Sequence, residues 1–179
     1  MPNYKRYYIE NNYVFITVVT YNRSPILIQN IELLRECFKK TKETFDFEIF
    51  ASVILPDHFH LIIKPANIRE FSKIIGLIKK YFSFFVEDQF DNKNICKSRK
   101  NRQEKGIWQR RFYEHLIRDE NDLSKHLDYI HFNPVKHQYT KSVKDWSFSS
   151  FNKFVKLKNY DINWGSDFDI EEIKELEYE

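Results

Sequence analysis

The segment Phe47–Lys64, FEIFASVILPDHFHLIIK, decides the fold of this 179-residue chain. It contains two runs rich in β-branched and aromatic residues, Phe47–Leu55 and His58–Lys64, and such runs are typical of strands. Pro56 and Asp57 separate the runs, since proline and aspartate favour turns and interrupt a strand. A connection this short joins neighbouring antiparallel strands, so the segment predicts a β-hairpin.

Patterns on both sides of this hairpin predict an alternation of strands and helices. A strand is predicted at Tyr13–Thr20 and a helix from Asn30 to about Thr44, where apolar residues recur at helical spacing. The elements predicted after the hairpin are a long helix, a fourth strand and a further helix, at Ile68–Val86, Ile107–Arg118 and Asn121–Phe132. The order β-α-β-β-α-β with an additional helix predicts an α+β, ferredoxin-like fold. We expect one antiparallel sheet backed by two helices, with its other face open to a ligand.

The composition excludes several classes of protein. Apolar residues make up 42% and aromatic residues 17% of the chain, which is too much for an intrinsically disordered protein. The three glycines lie far apart, whereas the phosphate-binding loops of Walker A and dinucleotide-binding proteins need clustered glycines. Two cysteines cannot supply the four thiolates of a sulfur-only zinc site. The sequence shows no signal peptide and no apolar run of about 18 residues, so we expect a cytoplasmic protein.

The charge distribution favours a polyanionic partner. The last thirteen residues, 167–179, carry seven acids and one lysine, so residues 1–166 carry a net charge of +9 although the whole chain carries +3. Eight basic residues lie between Lys93 and Arg111, and aromatic residues are interleaved with charged ones in Trp108–His115. Arginines on phosphates and rings on bases are typical of a nucleic-acid groove. The alternative is a hydrated loop followed by an ordinary half-exposed strand.

His58 and His60 form a pair that can bind a metal ion. Alternate residues of a strand point to the same face, so the two imidazoles project together while Phe59 points to the opposite face. Two imidazoles placed in this way can share one metal ion, although pairs of this kind are also common as structural residues. Two ligands make a weak site, so a third ligand is expected from another element.

The helix predicted at Asn121–Phe132 offers a candidate for that ligand. Its apolar stripe, which we expect to be buried, consists of Leu123, Leu127 and Ile130. A polar stripe beside it consists of Asp122, His126, Tyr129 and Asn133. Tyr129 and Asn133 can reach the same point if the helix continues to Asn133, before Pro134 ends or bends it. The pair places a phenol nucleophile beside a metal ligand, or Tyr129 is an ordinary half-buried tyrosine with a hydrated hydroxyl.

Three stretches of the sequence together resemble one family. They are LPDHFHLI at residues 55–62, IWQRRFYEHLIRDENDLSKHLDYIHFNPVKH at residues 107–137 and DWSFSSF at residues 145–151. The ordered combination of P-D-H-x-H with D-Y-I-x-x-N-P-V-K is similar to that of the REP-associated tyrosine transposases, which are single-tyrosine HUH transposases of bacterial insertion sequences. The resemblance extends from Tyr4 to Trp164, and the sequence departs from the pattern mainly in the insert DNKNICKSRKNRQEKG.

The resemblance implies one catalytic domain at residues 1–166, with the basic insert at about 91–106 and an acidic tail at 167–179. His58, His60 and, less directly, Asn133 would be the ligands of Mg²⁺ or Mn²⁺, and Tyr129 on the additional helix would be the nucleophile. The implied substrate is single-stranded DNA with imperfect palindromes that fold into hairpins, cleaved through a 5′-phosphotyrosine intermediate. The residues expected to contact DNA are Tyr4, Arg6, Lys97, Arg99, Lys100, Arg102, Arg110 and Arg111.

Two other functions fit part of this pattern. A hairpin-binding regulator derived from a transposase would keep the basic surface but would need neither Tyr129 nor the histidines. A two-histidine metallohydrolase unrelated to DNA fits the histidine pair but not the charge distribution. We expect an active enzyme that uses no nucleotide cofactor and acts as a monomer rather than a dimer, with the acidic tail competing with DNA for the basic groove.

Overall fold

The computed structural model describes residues 8–86, 97–101 and 104–165. Its four strands are β1 (Val14–Val19), β2 (Phe47–Ile54), β3 (His58–Pro65) and β4 (Tyr113–Leu116). Its α-helices are α1 (Ile31–Lys42), α2 (Phe71–Phe85), α3 (Lys97–Lys100), α4 (Glu120–Lys136) and α5 (Phe151–Lys156). Short 3-10 helices lie at Tyr21–Arg23, Ile68–Glu70 and Val143–Asp145. The expectations for the acidic tail, Tyr4, Arg6 and Arg102 fall outside the described residues.

The strands form one antiparallel sheet in the order β2-β3-β1-β4. The predicted β2–β3 hairpin is present, and β3 also pairs with β1, so that Thr17 lies opposite His60 and Val19 lies opposite His58. This order is that of the ferredoxin-like fold, so the predicted α+β class is confirmed.

The first face of the sheet packs on α1 and α2. Alternate residues of β1 and β3 point to this face, including Ile16 and Phe59, and both are fully buried. Helix α2 turns an apolar stripe toward them, which consists of Phe71, Ile74, Ile75, Ile78 and Phe82. Each such side chain, when fully buried, contributes about 1.5–3 kcal/mol to stability, so this layer is the main core.

The second face of the sheet is covered by α4, and our expectation of an open face is wrong. Residues of this face form a second buried cluster with residues of α4, and the cluster includes Phe15, Ile62, Tyr129 and Ile130. The physical reason is that the strands carry apolar residues on both faces, so water is excluded only when both faces are covered.

The orientation and length of α4 also differ from the prediction. The polar stripe of Asp122, His126, Tyr129 and Asn133 is buried, whereas Leu123 and Leu127 of the apolar stripe are only partly buried. The helix begins one residue before the predicted start, with the Asp119 side chain accepting the backbone N–H of Asp122. It continues through Pro134 to Lys136.

The predicted fourth strand is shorter in the structure. Only Tyr113–Leu116 of the predicted Ile107–Arg118 pairs as a strand, and Trp108 makes a single bridge to Thr20. The basic residues near this edge are carried by α3 and by the connection from Glu104 to Arg111. None of the helices in the described residues combines the length and hydropathy of a membrane-spanning segment.

Candidate active site

His58 and His60 lie side by side at the start of β3, fully buried, with ring centroids 5.0 Å apart. Nδ1 of His58 lies 2.7 Å from Oδ1 of Asp57, and Nδ1 of His60 lies 2.8 Å from Oγ1 of Thr17. These hydrogen bonds orient both rings, which is how proteins commonly hold metal-binding histidines. Because Nδ1 of each ring is engaged in this way, Nε2 is the nitrogen that would bind a metal.

Asp57 connects His58 to a positively charged loop. Its Oδ2 lies 3.2 Å from Nη1 of Arg23, which follows Asn22 in a turn where both residues have positive φ values of 50° and 53°. Burial raises the pKa of the Asp57 carboxyl, but the hydrogen bond and charge of His58 and the contact with Arg23 together hold the pKa below its ordinary value. Asp57 is therefore a carboxylate that orients His58.

Tyr129 is carried by α4 to the same buried place. Its side chain is fully buried, and its ring centroid lies 5.1 Å from that of His60 and 6.0 Å from that of Phe15. Nζ of Lys136 lies 3.5 Å from the Tyr129 hydroxyl oxygen and 4.9 Å from the centroid of the ring. The phenol is thus held between an imidazole and an ammonium group.

Asn133 lies between two side chains that pack on the histidine pair. Tyr129 and His137 are each four residues from Asn133, on the same helix face, and their rings contact those of His60 and His58, with 5.1 Å between centroids in both cases. Asn133 is fully buried, and within the described residues neither its Oδ1 nor its Nδ2 makes a hydrogen bond.

A buried amide without a partner costs about 1–3 kcal/mol, so the Asn133 amide indicates a ligand at this place. An amide oxygen beside two imidazoles suits a divalent cation. Oxygen ligands favour Mg²⁺, while imidazoles suit later first-row metals. The structure thus brings Tyr129 against the predicted histidine pair and buries Asn133 one helical turn further along α4.

Four residues of this site are not predicted by the sequence patterns. Thr17 and His137 are brought to the histidines only by strand pairing and helix packing. The predicted helix ends before Pro134 and therefore excludes Lys136. The pattern at residues 55–58 predicts only a turn at Asp57, although its position next to His58 indicates a carboxylate that orients the imidazole.

A second cluster joins β4 to the start of α4, and we call it the His115–Asp122–His126 clamp. Nε2 of His115 lies 2.8 Å from Oδ2 of Asp122, and Nδ1 of His126 lies 3.2 Å from Oδ1. One potential ligand atom from each residue lies within 4.8 Å of the others, a separation that could hold a metal ion. The two rings are nearly parallel, however, at 13° and 4.6 Å, so their nitrogen lone pairs do not converge on one ion without rotation.

Protein groups form hydrogen bonds with Asp122 and with Nδ1 of His126. The backbone N–H of Arg118 donates to Oδ2 of Asp122 at 2.9 Å, and Nδ1 of His126 lies 2.7 Å from the Asp122 carbonyl oxygen. Burial raises the pKa of the Asp122 carboxyl, but the hydrogen bonds from His115 and Arg118 outweigh it and hold the pKa below its ordinary value. Burial also lowers the pKa of His126.

The basic residues near β4 differ in how they are engaged. Arg99 is buried, and its Nη1 donates to Oε2 of Glu104 at 3.1 Å and to the Trp108 carbonyl oxygen at 3.2 Å. Nε of Arg110 also donates to Glu104, at 3.1 Å. Arg111 and Lys97 are exposed, while the side chain of Lys100 lies outside the described structure. Among the predicted DNA-contacting residues that the structure describes, Arg111 and Lys97 are exposed, Arg110 is exposed and bound to Glu104, and Arg99 is buried on Glu104.

The chain is similar to transposases over most of its length. Residues 8–133 match the family described as IS200-like transposases. A REP-associated tyrosine transposase of Escherichia coli is 40% identical over 169 residues, which cover 93% of each chain. A Haemophilus influenzae protein provisionally given the same name is 42% identical over 172 residues, which cover 95% of this chain and 97% of the relative. A solved structure described as a REP-associated tyrosine transposase bound to a REP hairpin is 37% identical, with a TM-score of 0.75 and coverage of 94% of this chain and 96% of its own.

Proposed function

The chain belongs to the REP-associated tyrosine transposases, within the IS200-like transposase family, and on that premise we propose that it cleaves and rejoins single-stranded DNA at hairpin-forming repeats through Tyr129. The observation that carries this proposal is the packing of the Tyr129 ring against His60, beside the unsatisfied amide of Asn133. A nucleophile next to a set of metal ligands is an arrangement that supports metal-assisted phosphoryl transfer.

His58, His60 and Asn133 would hold Mg²⁺ or Mn²⁺. When bound, such an ion would withdraw charge from the scissile phosphate and orient it for in-line attack. Since two of the three ligands are imidazoles, we expect Mn²⁺ to bind more tightly than Mg²⁺. Asp57 and Thr17 would keep both rings in the orientation that directs Nε2 toward the ion.

Tyr129 carries the covalent step. Its oxygen forms a bond to phosphorus while the bond from phosphorus to the 3′-oxygen breaks. The phenol loses its proton and the leaving 3′-oxygen gains one, so the products are a 5′-phosphotyrosine and a 3′-hydroxyl. One phosphodiester bond is exchanged for another, so a 3′-hydroxyl can reverse the step and rejoin strands without a nucleotide cofactor.

The burial of Tyr129 means that a side chain must move before DNA reaches it. Lys136 is partly exposed and lies over the ring and hydroxyl on a flexible four-carbon stem, so we propose that a small movement of this side chain admits the phosphate. Rotation about a few bonds of the Lys136 side chain would be enough to admit the phosphate. The ammonium would therefore remain near both the phenol and the incoming phosphate.

The proposed partner is a DNA hairpin, as in the relative whose structure is described with one bound. Arg111 and Lys97 offer exposed charge for phosphate contacts. Arg99, which is buried on Glu104, would support this surface from beneath, whereas Arg110 binds Glu104 at the surface itself. Because one chain supplies both histidines, Asn133 and Tyr129, we propose that a monomer is sufficient for cleavage.

Covalent trapping tests the function. Purified protein is mixed with labelled single-stranded hairpins from the flanks of its own gene and with Mn²⁺ or Mg²⁺, and a denaturing gel is run. We expect a labelled band at protein mass that is lost in Tyr129→Phe, with hairpin binding retained. Tyr113→Phe is the matched control, because Tyr113 is an exposed phenol on β4 rather than on α4, and it should form the adduct normally. An adduct of equal yield in Tyr129→Phe would show that the nucleophile is wrongly assigned.

A second candidate is a catalytically silent hairpin-binding regulator, which the complete burial of Tyr129 favours. It would shift the mobility of the hairpin and form no adduct with either metal. The same gel therefore separates the two functions.

A further inference from the structure

We propose that Lys136 is a catalytic residue of this reaction, placing positive charge on the Tyr129 oxygen while that oxygen attacks the phosphate and again while it leaves. The inference rests on the proposed function, because it assigns a group that serves the same nucleophile. The geometry that supports it is the 3.5 Å contact between Nζ of Lys136 and the Tyr129 hydroxyl oxygen.

Helix geometry brings these two residues together. Seven residues of an α-helix turn through nearly two full turns, so Lys136 lies on the same face as Tyr129, roughly 10 Å further along the axis. Helical side chains lean toward the N-terminus, so a long side chain at position 136 extends back over Tyr129. The ammonium lies 4.9 Å from the ring centroid, consistent with a side chain that follows the ring to its hydroxyl.

The contact depends on the helix continuing past a proline. Pro134 lies between the two residues, but the Asn133 carbonyl accepts the backbone N–H of His137 at 3.0 Å and the Pro134 carbonyl accepts that of Tyr139 at 2.9 Å. These bonds keep the chain helical at Lys136. Had the helix ended at Pro134, Lys136 would not share a face with Tyr129.

Positive charge near the Tyr129 oxygen would favour both cleavage and rejoining. The phenol oxygen carries negative charge when it attacks phosphorus and when it departs during rejoining. Lys136 starts and finishes each step as an ammonium, so no proton is gained or lost at Nζ. Because the phenol is fully buried, a charged donor acts there with little screening by water. A hydrogen bond to a charged group of this kind corresponds to a rate effect of about 10- to 100-fold.

The test compares Lys136→Met with Lys136→Arg. Methionine retains the length and the packing on the Tyr129 ring but removes the charge, whereas arginine retains the charge. Lys125→Met is the matched control, because Lys125 is an exposed lysine of the same helix. Single-turnover adduct formation and rejoining are timed, hairpin affinity is measured separately, and thermal melting monitors folding.

We expect Lys136→Met to slow cleavage and rejoining by about 10- to 100-fold with nearly unchanged hairpin affinity. Lys136→Arg should recover most of the rate, and Lys125→Met should match the unaltered protein. A folded Lys136→Met with normal rates overturns the proposal. So does a slow Lys136→Arg, because packing rather than charge would then explain the loss.

A sulfur-substituted hairpin shows whether Lys136 acts on the nucleophile or on the leaving group. In this probe the 3′-oxygen at the cleavage site is replaced by sulfur, which departs without needing a proton. We expect the defect of Lys136→Met to persist on it, since Lys136 acts on the phenol. Recovery of the rate on the sulfur probe would assign Lys136 to the leaving group and overturn the proposal.

Failure of the proposed function has a different signature. If the unaltered protein forms no adduct with any probe or metal, the strand-transfer function and the role of Lys136 are both rejected. If it forms an adduct that depends on Tyr129 and Lys136→Met is normal, only the role of Lys136 is rejected.

Discussion

At the scale of the residue, the site is built from side chains whose polar atoms are directed by a neighbour. Asp57 directs His58 and Thr17 directs His60, through hydrogen bonds of 2.7 and 2.8 Å at Nδ1. Buried imidazoles could otherwise adopt either tautomer and several ring orientations. If the two Nε2 atoms bind a metal, its affinity should therefore also depend on Asp57 and Thr17, which orient the rings without contacting the metal.

Asp57→Asn should weaken Mn²⁺ binding by about 10- to 100-fold. The amide can still accept a hydrogen bond at its oxygen, but it loses the negative charge that pairs with His58 and Arg23. Electron paramagnetic resonance of free Mn²⁺ during titration measures the change. Asp145→Asn, at an exposed aspartate, is the control and should bind normally. Equal affinity in Asp57→Asn would mean that Asp57 only shapes the turn.

At the scale of the element, α4 links the clamp to the site. Asp122 and His126 lie in its first two turns, and Tyr129 and Asn133 follow on the same buried stripe. The clamp to β4 fixes the rotation of the helix, because a rotation would pull Asp122 away from His115. The rotation that satisfies the clamp is also the one that directs Tyr129 toward His60.

Asp122→Asn should destabilise the protein by about 1–3 kcal/mol at pH 7, because a charge-assisted hydrogen-bond network is lost. The pKa of Asp122 is lower in the folded chain than in the unfolded one. The carboxylate therefore stabilises the fold above the unfolded pKa of about 3.9, and this contribution is lost as pH falls through the folded value.

The difference in unfolding free energy between the unaltered protein and Asp122→Asn should accordingly become smaller below about pH 4. Chemical denaturation at pH 7, 5 and 3.5 measures it. Glu120→Gln, at an exposed acid in the first turn of the same helix, should change stability by a few tenths of a kcal/mol only. A constant difference across this pH range would contradict the assignment of a charged Asp122.

At the scale of the whole molecule, both faces of the sheet are covered, so the proposed DNA partner would approach along loops and helix ends. The basic residues near β4 differ in their exposure to such a partner. Arg111 is exposed, while Arg99 is buried on Glu104 and the Trp108 carbonyl oxygen. When an exposed arginine contacts a DNA phosphate, counterions are released from the DNA. A buried arginine in an ion pair instead stabilises the fold of the surface around it.

Arg111→Gln should reduce the slope of log affinity against log salt by about 0.7–0.9, the contribution of one phosphate contact. Arg99→Gln should instead lower the melting temperature and leave the slope of the folded protein unchanged. Hairpin affinity measured at several salt concentrations, together with thermal melting, separates the two effects. Equal slopes for Arg111→Gln and the unaltered protein would remove Arg111 from the DNA-contacting set.

Local patterns in the sequence are enough to predict the features that depend on neighbouring residues. The alternation in Phe47–Lys64 established the hairpin, and the period of two placed His58 and His60 on one face. The spacing of four residues likewise placed Tyr129 and Asn133 on one face of a helix. These predictions are correct because the backbone geometry of a strand or helix alone sets the directions in which successive side chains point.

Only the tertiary structure decided which surfaces meet. The burial of the polar stripe of α4, the covering of the second sheet face, and the contacts from Thr17 and Lys136 depend on strand order and on the rotation of one helix. Residues 17 and 60 are distant along the chain and become neighbours through pairing of β1 with β3. Such contacts are chosen by the burial of apolar area summed over the whole molecule, which no local pattern contains.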